Sequence, residues 1–465
     1  MTIAETLAAR IAGVNYDVLP QAARHWAKVA IMDTVGCTLA GASEPCAQIA
    51  GRVAAIGGAS NGGGGRCVVF GTAHRVGPMD AASINGTAAH ALDYDDCSDT
   101  LGGHPSAPIL PALFALAETQ PTNGRDFITA YIAGWETETR IARGVNFHHY
   151  EKGWHPTATL GVFGAAAACA KLLGLTVEQT ARALALAATF SSGLKANFGT
   201  MTKPLHVGQS ARNGLYAALL AAEGFTSSTD AIEHRQGFLR VFNGGGNFNA
   251  EPIVAEWGAP WDIVDPGLAI KQYPCCGSTH PAIDAMLMLV RENGLTPGNV
   301  GKIESQTHPR RFAHTNRPDP RGALDAKFSV QYCLARALVS RQVLIEHFED
   351  GSYDQPDVRA VLARVSSSAW PDRPMDLSEH FGADVTVTLT DGRVLMQSVP
   401  RPLGRGPTTP LPPALLRGKF IDCAKRALSP DAANRLFRML DGLEAVNRIS
   451  ALTEATIPGT RLAAE

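Results

Sequence analysis

The chain has 465 residues, and its 41 basic and 43 acidic side chains leave a formal net charge of −2. This balance provides no basic surface for a nucleic acid or for an anionic membrane. A hydrophobic content of 45% is enough for one large core or two domains, and the low charged fraction of 18%, with abundant small residues, predicts a large, mostly helical interior.

No segment has the pattern of a membrane anchor or of a secretion signal. The longest uncharged run of small residues, at 156–170, is shorter than the ~20 apolar residues that a spanning helix needs. The first residues carry Glu5 and read as the start of an amphipathic helix. The nine cysteines show no CxxC spacing, which predicts neither a disulfide scaffold nor an iron–sulfur site. We therefore expect a cytoplasmic protein.

Helical patterns dominate the chain up to residue 267. Proline and glycine mark the helix ends, and Thr157 can cap the helix that follows it. A glycine-rich run at 57–66 lacks the Gly-Lys-Ser/Thr ending of a phosphate-binding loop, so we interpret it as a surface loop. The clearest helices are predicted over 21–39, 158–173 and 209–223.

The pattern changes after residue 267. Val385, Val387 and Leu389 alternate with threonines, and Asp391-Gly392 predicts a hairpin turn. A helical pattern returns near residue 412. The predicted fold is mainly α, with a large all-helical domain formed by 1–267 and 397–465 and a smaller α+β domain at 268–396.

Four basic clusters share one pattern, in which a histidine or lysine precedes a proline and a predicted helix. The residue before a proline is pushed out of the helical region, and the free N–H groups of a helix start attract anions. Any one cluster alone favours an ordinary capped helix start, whereas the recurrence favours a site for an anionic ligand. Lys271 adds a fifth basic candidate in a loop. The four clusters are His104-Pro105-Ser106, His155-Pro156-Thr157, Lys203-Pro204-Leu205-His206 and His280-Pro281.

An acidic run at 85–97 contains the complementary groups. His90 and Asp93 are three residues apart, so they would share one face of a helix. Mutual repulsion among Asp93, Asp95 and Asp96 near a helix end would raise the pKa of at least one carboxyl group, which suits a general base. The same segment is also consistent with a hydrated helix end or with a metal site.

Six segments, in order along nearly the whole chain, resemble the MmgE/PrpD family, which contains 2-methylcitrate dehydratase, cis-aconitate decarboxylase and iminodisuccinate epimerase. The resemblance implies a large helical domain, a smaller α+β lid domain, a homodimer, and no metal or organic cofactor. The segments are the run 85–96, His104-Pro105-Ser106, Gly153-Trp154-His155-Pro156-Thr157, Lys203-Pro204-Leu205-His206-Val207-Gly208, Lys271-Gln272-Tyr273-Pro274 and Phe328-Ser329-Val330-Gln331-Tyr332.

The resemblance also implies which residues act. Lysines and histidines would hold a small di- or tricarboxylate, and a base would remove a proton next to a carboxylate. The reaction could be dehydration, as in 2-methylcitrate dehydratase, with epimerisation or decarboxylation as alternatives. Asp93 is the first candidate for the base and His155 the second. The catalytic residues are predicted as Asp93, His104, His155, Lys203 and Lys271, and the substrate-binding residues as His206, His280 and Tyr332.

Two other classes of protein stay open. A non-catalytic, carboxylate-binding scaffold would keep the fold, although no basic cluster is missing from this sequence. A metal-dependent hydrolase would use His90, Asp93 and Asp96 as ligands, although no helical His-Glu-x-x-His pair supports it. The prediction is therefore a cofactor-independent enzyme that needs no nucleic acid or membrane partner.

Overall fold

The computed structural model describes residues 1–56, 65–349, 351–371 and 381–460. The chain forms two compact units, the first made of Met1–Ile270 and Leu416–Glu465 and the second of Lys271–Leu415. Most of the run predicted as a glycine-rich surface loop, at 57–64, lies outside the described residues. Both units agree with the predicted mainly α fold, since within these ranges only the second contains a sheet of more than two strands.

The first unit is built of helices whose small side chains allow close packing. Helix α9 (Gly161–Leu172) shows this close packing most clearly, because every residue from Gly161 to Ala170 is buried. Two short antiparallel strand pairs, β1 (Cys67–Val68) with β2 (Arg75–Val76) and β3 (Cys97–Ser98) with β4 (Leu268–Ala269), join its loops. The helices are α1 (Ile3–Gly13), α2 (Gln21–Gly41), α3 (Pro45–Ala54), α4 (Pro78–His90), α5 (Ser106–Ala117), α6 (Gly124–Val145), α7 (His148–Glu151), α8 (Pro156–Thr159), α9 (Gly161–Leu172), α10 (Val177–Phe190), α11 (Thr202–Ala222), α12 (Phe238–Asn243) and α13 (Glu251–Val254).

The second unit packs helices on a four-stranded sheet. Its strands are neighbours in the order β6 (Val365–Ala369), β5 (Val300–Thr307), β7 (Ala383–Leu389) and β8 (Val394–Val399). Strand β7 alternates buried and partly buried residues, and the Asp391-Gly392 turn joins it to β8, as the sequence predicts. The expected boundary after residue 396 falls inside this unit, because the Leu403 N–H donates to Asp284 Oδ2 at 3.0 Å. The elements are α14 (His280–Asn293), β5 (Val300–Thr307), α15 (Pro309–Thr315), α16 (Ala323–Lys327), α17 (Val330–Ser340), α18 (Pro356–Leu362), β6 (Val365–Ala369), β7 (Ala383–Leu389) and β8 (Val394–Val399).

The chain then returns to the first unit through α19 (Pro413–Ala424), α20 (Pro430–Asp441) and α21 (Ile449–Glu454). Residues far along the chain are thus available to support loops near its beginning. Within the described ranges, no helix is both long and apolar enough to span a membrane.

Helices α4 and α11 approach each other through glycines. A Cβ atom on Gly208 would lie 2.2 Å from the Ser83 carbonyl oxygen, and one on Gly86 would lie 2.9 Å from Gly208 Cα. Glycine is needed because any side chain would collide with backbone atoms. The two helices run antiparallel, so this contact brings the end of α4, with His90, to the start of α11, with Lys203.

We predict that Gly208→Ala destabilises the protein by about 1–3 kcal/mol or more, because the added methyl group must push α4 and α11 apart. Gly51→Ala is the matched control: it lies within α3 and has no atom within 4 Å of the added Cβ. That change should stabilise the helix by up to about 1 kcal/mol. Urea unfolding of both variants checks the prediction, and an unchanged midpoint for Gly208→Ala would contradict the close contact.

In two of the four basic clusters the helix begins earlier than the restriction on residues before proline predicts. Lys203 and Pro204 lie in the first turn of α11, and His280 is the first residue of α14. Proline is tolerated there because the first four N–H groups of a helix have no partner within it. The prediction of non-helical backbone is therefore wrong for Lys203 and His280. It is confirmed for His155, whose backbone is extended just before α8.

The helix predicted over 158–173 is divided in two. Helices α8 and α9 are separated at Leu160, and Thr157 lies inside α8 instead of capping it. The Thr157 hydroxyl accepts a hydrogen bond from the His104 N–H at 3.1 Å. This contact fixes the loop that carries one basic cluster against the helix start that carries another.

Candidate active site

A buried carboxylate joins two histidines at the end of α4. Asp95 Oδ2 lies 2.9 Å from His90 Nδ1 and 3.2 Å from His104 Nδ1, and the Asp95 side chain is fully buried. Because α4 ends at His90, the following acidic residues lie in a turn, where Asp93 has φ of +54°. The expectation that His90 and Asp93 share a helix face is therefore wrong.

Asp93 points to the more open side of the same cluster. Its Oδ1 atom lies 2.5 Å from Lys203 Nζ and 3.5 Å from His104 Nε2. The side chains of Asp93 and Lys203 remain 22% and 17% exposed, whereas Asp95 is inaccessible. A small ligand could therefore reach the Asp93–Lys203 pair but not the carboxylate behind it.

A second pair of histidines lies beside this cluster. His155 Nδ1 is 3.3 Å from His206 Nδ1, so one ring donates a hydrogen bond and the other accepts it. The His155 ring also lies 5.6 Å from the His90 ring and meets the edge of Phe198 at 4.9 Å between centroids. His155 and His206 thus belong to the same group of side chains as His90.

The histidines differ in charge although they are neighbours. Burial opposes protonation of His104, but the Asp95 carboxylate more than offsets it and raises the pKa of His104 to about 10. Burial lowers the pKa of His90 to about 4. Burial, with His90 and Lys203 nearby, holds the pKa of His155 well below its ordinary value. At neutral pH the site therefore holds an imidazolium at His104 and a neutral imidazole at His155.

Asp96 is the acidic residue whose pKa is raised. Burial, with Asp33 and Asp95 as weaker contributors, raises the pKa of Asp96 to about 8. Ser106 donates to it from Oγ at 2.5 Å, and Tyr131 Oη lies 2.6 Å from the same hydroxyl. The expected rise of one carboxyl pKa is thus found at Asp96, and its main cause is burial rather than repulsion.

A lysine of the carboxy-terminal helices contacts the acidic turn, which is the segment from Asp93 to Asp96. Lys419 Nζ, on α19, donates to the Tyr94 carbonyl oxygen at 2.8 Å and lies 4.0 Å from the Tyr94 ring centroid. It also forms an ion pair at 2.6 Å with Asp33 on α2, and both side chains are buried. Burial disfavours the ammonium form, yet Asp33 more than offsets this and raises the pKa of Lys419.

The structure brings five of the eight predicted site residues together in the first unit: Asp93, His104, His155, Lys203 and His206. Lys271, His280 and Tyr332 belong to the second unit. Within that unit the Tyr332 hydroxyl donates to the His347 carbonyl oxygen and accepts from Arg336 in the hydrophobic core, and its role in substrate binding stays a prediction.

Three residues that support the site were not among the site residues predicted from the sequence. They are His90 and Asp95, which are hydrogen-bonded to each other, and Lys419. The first two stand five apart in the acidic run, a spacing that no helix or strand rule connects, because the contact is made across a turn. Lys419 has no local signal, since its partner Tyr94 is 325 residues away in the chain.

One group of side chains could also hold a metal ion. Donor atoms of His90, Asp95 and His104 all lie within 4.8 Å of one another. Both Nδ1 atoms, however, already face Asp95 at hydrogen-bond distances, and a histidine of raised pKa is a poor metal ligand because the ligand form is neutral. The hydrolase alternative based on Asp96 fits less well, because that carboxyl group is turned to Ser106.

Comparison with known proteins places these residues in a family. The cis-aconitate decarboxylase of Homo sapiens is 29% identical over 462 residues, covering 97% of this chain and 94% of that protein. The cis-aconitate decarboxylase of Aspergillus terreus is 29% identical over 460 residues, covering 94% and 92%. The 2-methylcitrate dehydratase of Escherichia coli (strain K12) is 23% identical over 404 residues, covering 82% and 81%.

These relatives support assignment of the chain as a lyase or a related enzyme. The MmgE/PrpD N-terminal domain matches residues 5–251, and the MmgE/PrpD C-terminal domain matches residues 273–445. The two matches together cover most of both units, so the chain belongs to the MmgE/PrpD family.

Proposed function

We propose that the chain is a cofactor-independent lyase that moves a proton at a carbon atom next to a carboxylate of a small di- or tricarboxylic acid. One observation carries the proposal: the neutral imidazole of His155 lies in one cluster with two cations, His104 and Lys203. A neutral base and fixed positive charge are what proton transfer beside a carboxylate requires.

The contacts favour His155 over Asp93 as the base. The Asp93 carboxylate is already paired with Lys203 and lies near His104, whereas the His155 ring is hydrogen-bonded to another imidazole, that of His206. We propose that Lys203 and His104 instead bind the substrate carboxylates and stabilise negative charge in the transition state. The roles carried over to Lys271 and His280 stay predictions, as do the homodimer and the lack of a cofactor.

Decarboxylation of cis-aconitate is the first reaction to test. The human and Aspergillus terreus cis-aconitate decarboxylases cover more of this chain, at higher identity, than the Escherichia coli 2-methylcitrate dehydratase does. In a decarboxylation the C–C bond to the leaving carboxylate breaks, its electron pair stays on the carbon skeleton, and one proton that comes from water is added there. In a dehydration, a base removes a proton and the C–O bond breaks. Dehydration of 2-methylcitrate is the second candidate.

Incubation with cis-aconitate, 2-methylcitrate and iminodisuccinate in deuterated water distinguishes the reactions. Decarboxylation should release carbon dioxide and leave one deuterium in the product, dehydration should release water, and epimerisation should exchange the α-proton. We expect turnover of cis-aconitate, with full activity after dialysis against a chelator. Loss of activity on chelation that one metal restores would overturn the cofactor-free mechanism. Binding of these acids without any turnover would favour the scaffold alternative.

A further inference from the structure

We infer that Asp95 is a positioning residue that holds His104 as an imidazolium, with Nδ1–H directed at Asp95 and Nε2–H directed at Asp93. The inference rests on the proposed function, since it concerns the same site. It adds a residue outside the predicted site set and explains how His104 keeps a fixed positive charge at the open side of the cluster.

The contacts require this arrangement. Both ring nitrogens of His104 face carboxylate oxygens, Nδ1 at 3.2 Å from Asp95 and Nε2 at 3.5 Å from Asp93. A carboxylate accepts hydrogen bonds and donates none, so a ring between two carboxylates is most stable when both nitrogens carry protons. Asp95 is fully buried, and an unpaired buried carboxylate would be costly.

His90 cannot be the partner that balances the charge of Asp95. Its Nδ1 atom faces Asp95, but its Nε2 atom is buried and has no hydrogen-bond partner among the described residues. A protonated Nε2 in that position would leave a buried N–H group without an acceptor, so the neutral form of His90 is favoured. The raised pKa of His104 and the lowered pKa of His90 agree with this division of roles.

Among the described residues, Asp95 is the carboxylate that lies at hydrogen-bond distance from His104 Nδ1. Cys97 Sγ lies 3.8 Å from Nδ1, and the His90 ring lies 4.5 Å from the His104 ring. The ionisable groups around His104 are Asp93, Asp95, Asp96 and Cys97 from its own loop, His90 from α4, Asp33 from α2, His155 before α8 and Lys203 from α11. Removing the Asp95 charge should therefore release the proton of His104 at a lower pH.

The test is a titration of His104 in protein with labelled imidazole nitrogens, between pH 6 and 9. The His104 signal is assigned as the one lost in His104→Asn. In the wild type it should stay protonated throughout, because its pKa is about 10. In Asp95→Asn it should titrate near its ordinary pKa of ~6.5. This readout does not depend on activity, so it remains informative if none of the substrates is turned over.

Turnover gives the second readout. A raised histidine pKa keeps the charge up to that pKa, so wild-type activity should show no loss from His104 below about pH 10. In Asp95→Asn the charge is lost as pH rises through the lowered pKa. The rate should then fall about tenfold for each further pH unit and recover in acid, which a merely structural defect would not produce.

Asp262→Asn is the matched control. Asp262 is a buried carboxylate of the same unit, and its side chain pairs with Arg143 at 2.6 Å and with Arg140 at 3.4 Å. Its loss should lower stability without changing the titration of His104. If Asp95→Asn fails to fold, the wild-type titration alone decides. A wild-type His104 that titrates near pH 6.5, or an Asp95→Asn His104 that stays protonated to pH 9, overturns the inference.

Discussion

Replacement of His155 by glutamine should lower kcat by about 10²–10⁴-fold and leave KM nearly unchanged, because the change removes the proposed base but little of the carboxylate binding. The wild-type rate should be steady near neutral pH and fall only in acid. The reason is the sign of the pKa shift: the pKa of His155 lies well below its ordinary value, so the imidazole is lost to protonation only at low pH. Steady-state kinetics between pH 5 and 9 measure both effects.

His149→Gln is the control for the loss of a buried neutral imidazole. His149 belongs to the same unit, burial lowers its pKa to about 4, and its ring nitrogens are bonded to Asn243 and Thr159. Its replacement should affect stability more than kcat. If Asp93→Asn lowers kcat at constant KM and His155→Gln does not, Asp93 is the base.

Replacement of Lys419 by methionine should lower the free energy of unfolding by about 3–5 kcal/mol, which is the usual effect of removing one member of a buried ion pair. Asp33 would be left buried without its cation, and the Tyr94 carbonyl would lose a donor. Urea unfolding followed by circular dichroism measures the change. An unfolding midpoint equal to that of the wild type would show that the pair contributes nothing.

The double variant Lys419→Met/Asp33→Leu tests whether Lys419 acts on the stability of the protein or on the position of the acidic turn. Removing both charges should restore much of the stability, since the uncompensated carboxylate is gone. It should not restore turnover, because the hydrogen bond to Tyr94, between Asp93 and Asp95, is still missing. Full activity in the stable double variant would show that Lys419 has no role in placing the acidic turn.

The sequence predicts the fold well where patterns are local. The alternation at Val385, Val387 and Leu389 predicts β7, and small residues predict the packed helices of the first unit. The recurring basic–proline pattern also identifies most of the side chains that meet in the cluster. Local rules succeed here because hydrophobic spacing and helix starts depend on neighbouring residues.

The same rules fail where a contact is made in three dimensions. They place Lys203 outside a helix, because they do not include the tolerance of proline in a first turn. They attribute a raised carboxyl pKa in the acidic run to mutual repulsion, whereas burial is the main cause of the raised pKa of Asp96. The degree of burial depends on helices packed from distant parts of the chain, so a single segment cannot reveal it.

The support of Tyr94 by Lys419 has a consequence for the synthesis of the protein. The two residues are 325 positions apart. At about 5–20 residues per second, a ribosome adds Lys419 roughly 15–65 s after Tyr94. During that interval the nascent chain already contains His90, His104 and His155, but it lacks Lys419, which contacts the acidic turn. We expect the site to reach its final geometry only after α19 has been synthesised, so that catalytic competence depends on a helix made long after the acidic turn.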